Sequence, residues 1–211
     1  MTLESSKILG GIGAILLFIG VLPFVQYTWI ISIIGIILIL VALHDFSNIY
    51  REKGIFSNAL YGVAVVVVGG IIAGVLAFAV VLSNITDLVT QLYPGWNGDW
   101  STLQGMTANT NLDPTTIFPL ISGLLVVLVI VWVVSIIAAF FIYRSLKQVS
   151  TKSNMGLFGT AGLILLIGAI IPIIGLILMW ISALILAIAF FTLKHQEQPI
   201  ASVISPQPPT V

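Results

Sequence analysis

His44-Asp45 and His195 are the side chains best suited to hold a metal or move a proton, and each stands at the end of a long apolar run. A stable metal site wants about four ligands, and a histidine at a helix C-terminus already gains from the helix dipole. The three therefore read as helix endings and not as a metal centre. With no cysteine in the chain, disulfides, thiolate metal sites and cysteine nucleophiles fall away. Gly10-Gly11-Ile12-Gly13 has the glycine content of a phosphate loop, but it follows no strand and lacks the Lys-Ser/Thr ending.

The remaining chemistry-bearing residues lie in one polar stretch, residues 83–116, which holds Asp87, Asp99 and Asp113 and no Lys or Arg. Tyr93, Trp96 and Trp100 stand there among Asn, Gly and Asp residues. Such aromatics can contact a sugar, a peptide or a partner protein, and they also settle at the level of lipid headgroups, which is the plainer reading. Asn84-Ile85-Thr86 fits the glycosylation pattern in the same stretch, although it abuts an apolar run.

The elements that carry these residues are apolar. The chain is 59% hydrophobic and 7% charged, with a mean hydropathy of +1.21, against the roughly 25% charged residues of soluble domains. It is expected to be an integral membrane protein. A formal net charge of zero and the lack of a basic cluster exclude nucleic acid as a partner.

Six spans are expected, at about residues 8–24, 29–43, 59–82, 117–143, 157–171 and 173–193. The first two come from one apolar stretch broken near Val25-Gln26-Tyr27-Thr28, after Pro23. The last two come from a second stretch divided at Pro172. Span 1 is read as retained and not as a cleaved signal, for it has no small-residue cleavage site. Asp113-Pro114 reads as a helix start, with the aspartate capping and proline at the first helical position. Gly70-x-x-x-Gly74 and Ala73-x-x-x-Ala77 in span 3 make a face with little side chain, on which another helix is expected to pack. Residues 1–196 form the membrane domain, and 197–211 a Pro-rich cytoplasmic tail expected to be disordered.

With the amino terminus inside, six spans place all seven basic residues on the cytoplasmic side and residues 83–116 outside, as the positive-inside rule requires. The alternative is that the hairpins over 8–43 and 157–193 re-enter without fully spanning. No Asp, Glu, Lys, Arg or His lies inside a span, which argues against an ion-coupled carrier or proton pump.

Ser5-Ser6-Lys7-Ile8-Leu9-Gly10 is echoed by Ser57-Asn58-Ala59-Leu60-Tyr61-Gly62 and by Ser153-Asn154-Met155-Gly156-Leu157-Phe158-Gly159. Each copy is expected to place a capping oxygen just before a helix, so the spans read as three parallel helical hairpins. The opening residues 5–13 and this short-hairpin layout resemble an archaeal family of multi-span membrane proteins, the domain of unknown function 996 type. The resemblance implies no activity, cofactor or catalytic residue.

The expectation is thus an all-α integral membrane protein of the cell membrane, non-catalytic, acting as an interaction or accessory subunit. It needs no cofactor, and its partners are the lipid bilayer and a membrane protein or a second copy. The alternative is a channel or uniporter for a small neutral or apolar solute. An enzyme ranks third, because acid-base catalysis needs positioned ionisable groups and only loop residues could supply them.

Overall fold

The computed structural model describes residues 2–20, 28–109, 111 and 113–193. Six α-helices account for most of them: α1 (Leu3–Gly20), α2 (Thr28–Ile49), α3 (Lys53–Leu92), α4 (Pro114–Ser153), α5 (Gly156–Ile170) and α6 (Pro172–Thr192), with a 3-10 helix at Trp100–Gly105. No strand occurs among the described residues. Five of these helices, all but α5, are long and apolar enough to cross a membrane. The fifth has 15 residues, which is about 22 Å of rise against a hydrocarbon core of about 30 Å. The span expected at 157–171 therefore sits on the one helix that is too short by length alone.

Helix boundaries follow from local chemistry. Asp113 Oδ1 accepts from the N–H of Thr115 at 2.9 Å and Pro114 opens α4, as the sequence indicated. Pro172 cannot continue α5, having no N–H to donate, so it ends that helix and begins α6. The junctions α2–α3 and α4–α5 share a second device. Arg51 and Asn154 both take φ +52°, and in each case the next N–H reaches back five residues, Glu52 to the carbonyl of Ser47 at 2.9 Å and Met155 to that of Ser150 at 3.1 Å. This is the Schellman closure of a helix end, built here on residues other than glycine.

The expected caps are corrected by these boundaries. Ser5 and Ser6 lie inside α1, and Ser57 and Asn58 inside α3, while Ser153 and Asn154 close α4 instead of opening α5. Thr2 caps α1, its hydroxyl accepting from the N–H of Ser5 at 3.3 Å. The break near Val25 and the tail 197–211 lie outside the described residues, as does His195.

The chain divides into two compact units, Met1–Phe56 with Leu146–Ala161 and Trp180–Val211, and Ser57–Ser145 with Gly162–Met179. The first is built on Phe46, Phe158 and Phe190, all fully buried. Their rings meet at 5.1 to 6.3 Å, two of the three pairs edge-on, the favoured aromatic geometry. Gly10 and Gly11 of α1 lie against Phe190 and Phe191, and Gly13 against the backbone at Gly35 of α2. The glycines dismissed as a phosphate loop are thus what lets α1 approach α2 and α6. Trp180 stacks on Phe18 at 4.6 Å and its indole N–H donates to the Phe18 carbonyl at 3.0 Å. That carbonyl is among the last four of α1, which no helical N–H satisfies.

In the second unit α3 and α4 run antiparallel. Gly62 faces Ala138 and Ile142, Gly69 faces Val134, and Val80 faces Gly123. The α5–α6 reversal brings Gly168 and Gly175 together backbone to backbone. There the indole N–H of Trp132 donates to the Ala169 carbonyl at 3.0 Å, again satisfying a group at a helix end.

Beyond the phenylalanine cluster of the first unit, many of the buried positions are small and many large apolar residues face outward. Ala14, Ala42, Ala138, Ala161 and Ala189 are buried, whereas Phe78 is 64% and Ile173 88% exposed. In water such a surface would be a liability; against lipid it is the expected arrangement, with small residues allowing close helix contact.

Candidate functional site

Of the four small residues expected to pack, α3 buries Ala73, half-buries Ala77 and turns Gly70 and Gly74 outward, with nothing within 4 Å of an added β-carbon. The packing stripe is Gly62, Gly69, Ala73 and Val80, at spacings that keep one side of a helix. Gly70 and Gly74 each lie one residue, about 100°, off that stripe.

Ser6, Asp45 and His44 come together in the first unit. The Ser6 hydroxyl, fully buried, donates to Asp45 Oδ2 at 2.8 Å and also lies 3.1 Å from the Thr2 carbonyl. His44 Nδ1 is 3.8 Å from Asp45 Oδ1, and its ring meets Phe56 edge-on at 4.9 Å. The three residue types are those of a hydrolase triad, but the order is wrong for one. Activation of a serine needs the imidazole beside the hydroxyl and the carboxylate behind it, whereas here the carboxylate separates the two. A hydroxyl with no exposed surface meets no substrate, so the cluster ties α1 to α2. No group of three or more His, Asp or Glu that could hold a metal occurs among the described residues.

Tyr93, Trp96 and Trp100 occupy a folded segment. Beyond Leu92 the chain turns at Gly95 and Gly98, whose φ of +91° and +92° favours glycine. Asp99 then caps the 3-10 helix, its Oδ1 accepting from the Ser101 N–H at 2.9 Å and the Ser101 hydroxyl at 2.8 Å. These bonds, the backbone one first, hold the Asp99 carboxyl below its ordinary pKa of 3.8. The indole N–H of Trp96 donates to the Asp99 carbonyl at 2.8 Å, and the Trp96 and Trp100 rings meet at 4.9 Å and 61°. Tyr93 joins through its backbone, its carbonyl accepting from the Trp96 N–H at 3.0 Å. Asn109 returns the chain to α3, its N–H donating to the Leu92 carbonyl at 2.6 Å. Trp96 and Tyr93 are half-buried, while Trp100 is 55% exposed.

Asn84 lies within α3, and its amide nitrogen donates to the Val80 carbonyl at 2.8 Å. Glycosylation acceptors are expected on surface loops, and this asparagine is not on one.

Residue type alone marks Tyr93, Trp96 and Trp100; it does not reveal the pairing of Ser6 with Asp45 or the indole donors Trp132 and Trp180. A family described as "Protein of unknown function (DUF996)" matches residues 31–185. An uncharacterised protein of Methanocaldococcus jannaschii is 30% identical over 197 residues, covering 92% of this chain and 94% of that protein. No solved structure matches.

Proposed function

The chain belongs to the DUF996 family of proteins of unknown function, and we propose that it is a multi-pass protein of the cell membrane whose role is non-catalytic, an interaction or accessory subunit presenting its outer segment to a membrane protein or a second copy. The observation that carries this reading is Trp100: 55% exposed, yet carried on a segment held by the Asp99 cap and by Asn109. Holding an exposed tryptophan on a fixed scaffold costs little entropy on association, and tryptophans of this kind are the common anchors of interfaces.

Topology enters as part of the proposal. Six helices cross as three hairpins, α5 being the short member, with both termini cytoplasmic and residues 83–116 outside. The helix lengths support this. The 40-residue helices α3 and α4 rise about 60 Å each, twice the hydrocarbon thickness, so each continues past the bilayer. The Ser6–Asp45–His44 geometry supports the non-catalytic half, because it offers no accessible nucleophile.

Purification of the full chain in a mild detergent tests the reading. A companion membrane protein, or a second copy, should be recovered in stoichiometric amount with the wild type and be depleted by Trp100→Ala. Recovery of the lone monomer, or a companion indifferent to both Trp96→Ala and Trp100→Ala, would overturn the role given to the outer segment.

A further inference from the structure

The face of the second unit carries an open groove of about 460 Å³ between α3 and α4. On α3 it is lined by Tyr61, Ala64, Val68 and Ile72, and on α4 by Val134 and Phe141. The α3 residues stand at i, i+3, i+7 and i+11, a single stripe on one side of the helix. The groove exists because of size. Gly69 lets α3 touch α4 at Val134, and Ala64 and Gly69 bring little side chain to the lining.

We propose that this groove holds one hydrocarbon chain of an anionic membrane lipid, with the lipid's phosphate at Arg144. Three observations argue for it, two from the groove and one from the residue one turn beyond its end. The first is chemical: no charged residue lines the groove, and the phenol of Tyr61 at one end supplies its only side-chain hydroxyl. Its occupant inside is hydrocarbon.

The second is shape. From Tyr61 to Ile72 the helix rises about 16 Å at 1.5 Å per residue, so a groove of about 460 Å³ has a mean cross-section of about 30 Å². That is far narrower than an α-helix with its side chains, about 10–12 Å across. A single extended chain fits inside it, whereas a helix from a second copy could only lie across its mouth.

The third is charge. Tyr61 and Phe141 meet at 5.9 Å and close one end of the groove. One turn beyond Phe141 on α4 stands Arg144, exposed, its guanidinium 5.9 Å from the centre of the Phe140 ring. It makes no salt bridge among the described residues. An arginine at the end of an apolar stretch, with its fork of donors uncommitted, suits a lipid phosphate. A neutral apolar solute would leave Arg144 unused, and a free anion would leave the groove empty. An amphiphile with an anionic head uses both.

The proposal rests on the membrane reading, and the experiment separates their failures. The full chain in mild detergent is exchanged with phosphatidylglycerol or phosphatidylcholine of matched chains, and retained lipid is counted by native mass spectrometry. Wild type should retain phosphatidylglycerol roughly fivefold more strongly, the preference that one arginine at a membrane surface supplies. Arg144→Gln, a surface change, should abolish the preference. Ala64→Phe, filling the groove, should lower retention of both lipids. Equal retention of the two lipids by wild type, unchanged retention by Ala64→Phe, or a dimer that excludes lipid from α3 would overturn the site while leaving the membrane reading intact. A chain that stays monodisperse without detergent would overturn the membrane reading itself.

Discussion

Gly69 of α3 lies against the side chain of Val134 on α4, with no room between them for a β-carbon. Gly74, five residues on, faces open space. Replacing each by leucine separates the two environments. Gly69→Leu should force the helices apart and cost at least the 1–3 kcal/mol of an overpacked core, seen as a marked fall in melting temperature in detergent. Gly74→Leu should change that temperature little. Equal effects would mean that α3 presents a different side to α4.

This pair also marks what the sequence could and could not reveal. Asp113-Pro114 and Pro172 were legible because capping and the missing proline N–H act within a few residues. The packing side of α3 was harder. A glycine repeat at i, i+4 and the stripe Gly62–Gly69–Ala73–Val80 are both present in the sequence, and nothing local says which one meets a neighbour. Ala73, the member of the expected small-residue face that also belongs to the stripe, is buried. The donors Trp132 and Trp180 were beyond reach, since their acceptors lie 37 and 162 residues away. The outer aromatics could be named from composition. The closure of their segment, by Asp99 onto Ser101 and Asn109 onto Leu92, depends on contacts that the residue types alone do not order.

Ser6→Ala should destabilise the α1–α2 pair. It removes the hydroxyl from a carboxylate whose side chain is only 14% exposed, and hydrogen bonds to charged groups are worth about 1.5–3 kcal/mol. Thermal denaturation in detergent should register the loss. Asp45→Asn retains an acceptor for Ser6 and should cost less. If Ser6→Ala melted as the wild type does, the bond would not be holding the helices together.

Acid should loosen the outer segment through Asp99. Its carboxyl lies below the ordinary value of 3.8 in the folded chain, so its contribution is fully present above that value and is lost as pH falls through the lower, folded one. Tryptophan emission followed from pH 5 downward should change in that acid range as Trp96 loses its bond to the Asp99 carbonyl and its contact with the Trp100 ring. Asn caps nearly as well as Asp and does not titrate. Asp99→Asn should therefore keep the neutral-pH spectrum and lack this transition, whereas an unaltered acid transition would assign it to another group.

Topology can be tested cleanly because the chain contains no cysteine. Ser101 and Thr151 are both exposed, one in the outer segment and one near the end of α4. An impermeant thiol reagent applied to intact cells should label Ser101→Cys and spare Thr151→Cys until the membrane is opened. The reverse pattern would invert the orientation, and labelling of both would break the hairpin count. This pair does not depend on α5, so a third position is needed there. Ile173, 88% exposed in the first turn of α6, directly follows α5, a helix that rises about 22 Å, some 8 Å less than the hydrocarbon core. If α5 crosses as proposed, by local thinning of the bilayer or by starting above the inner boundary, Ile173→Cys should be labelled from outside, more slowly than Ser101→Cys. If it is spared even after the membrane is opened, while Thr151→Cys then reacts, α5 and α6 form a hairpin that enters and leaves by the cytoplasmic face.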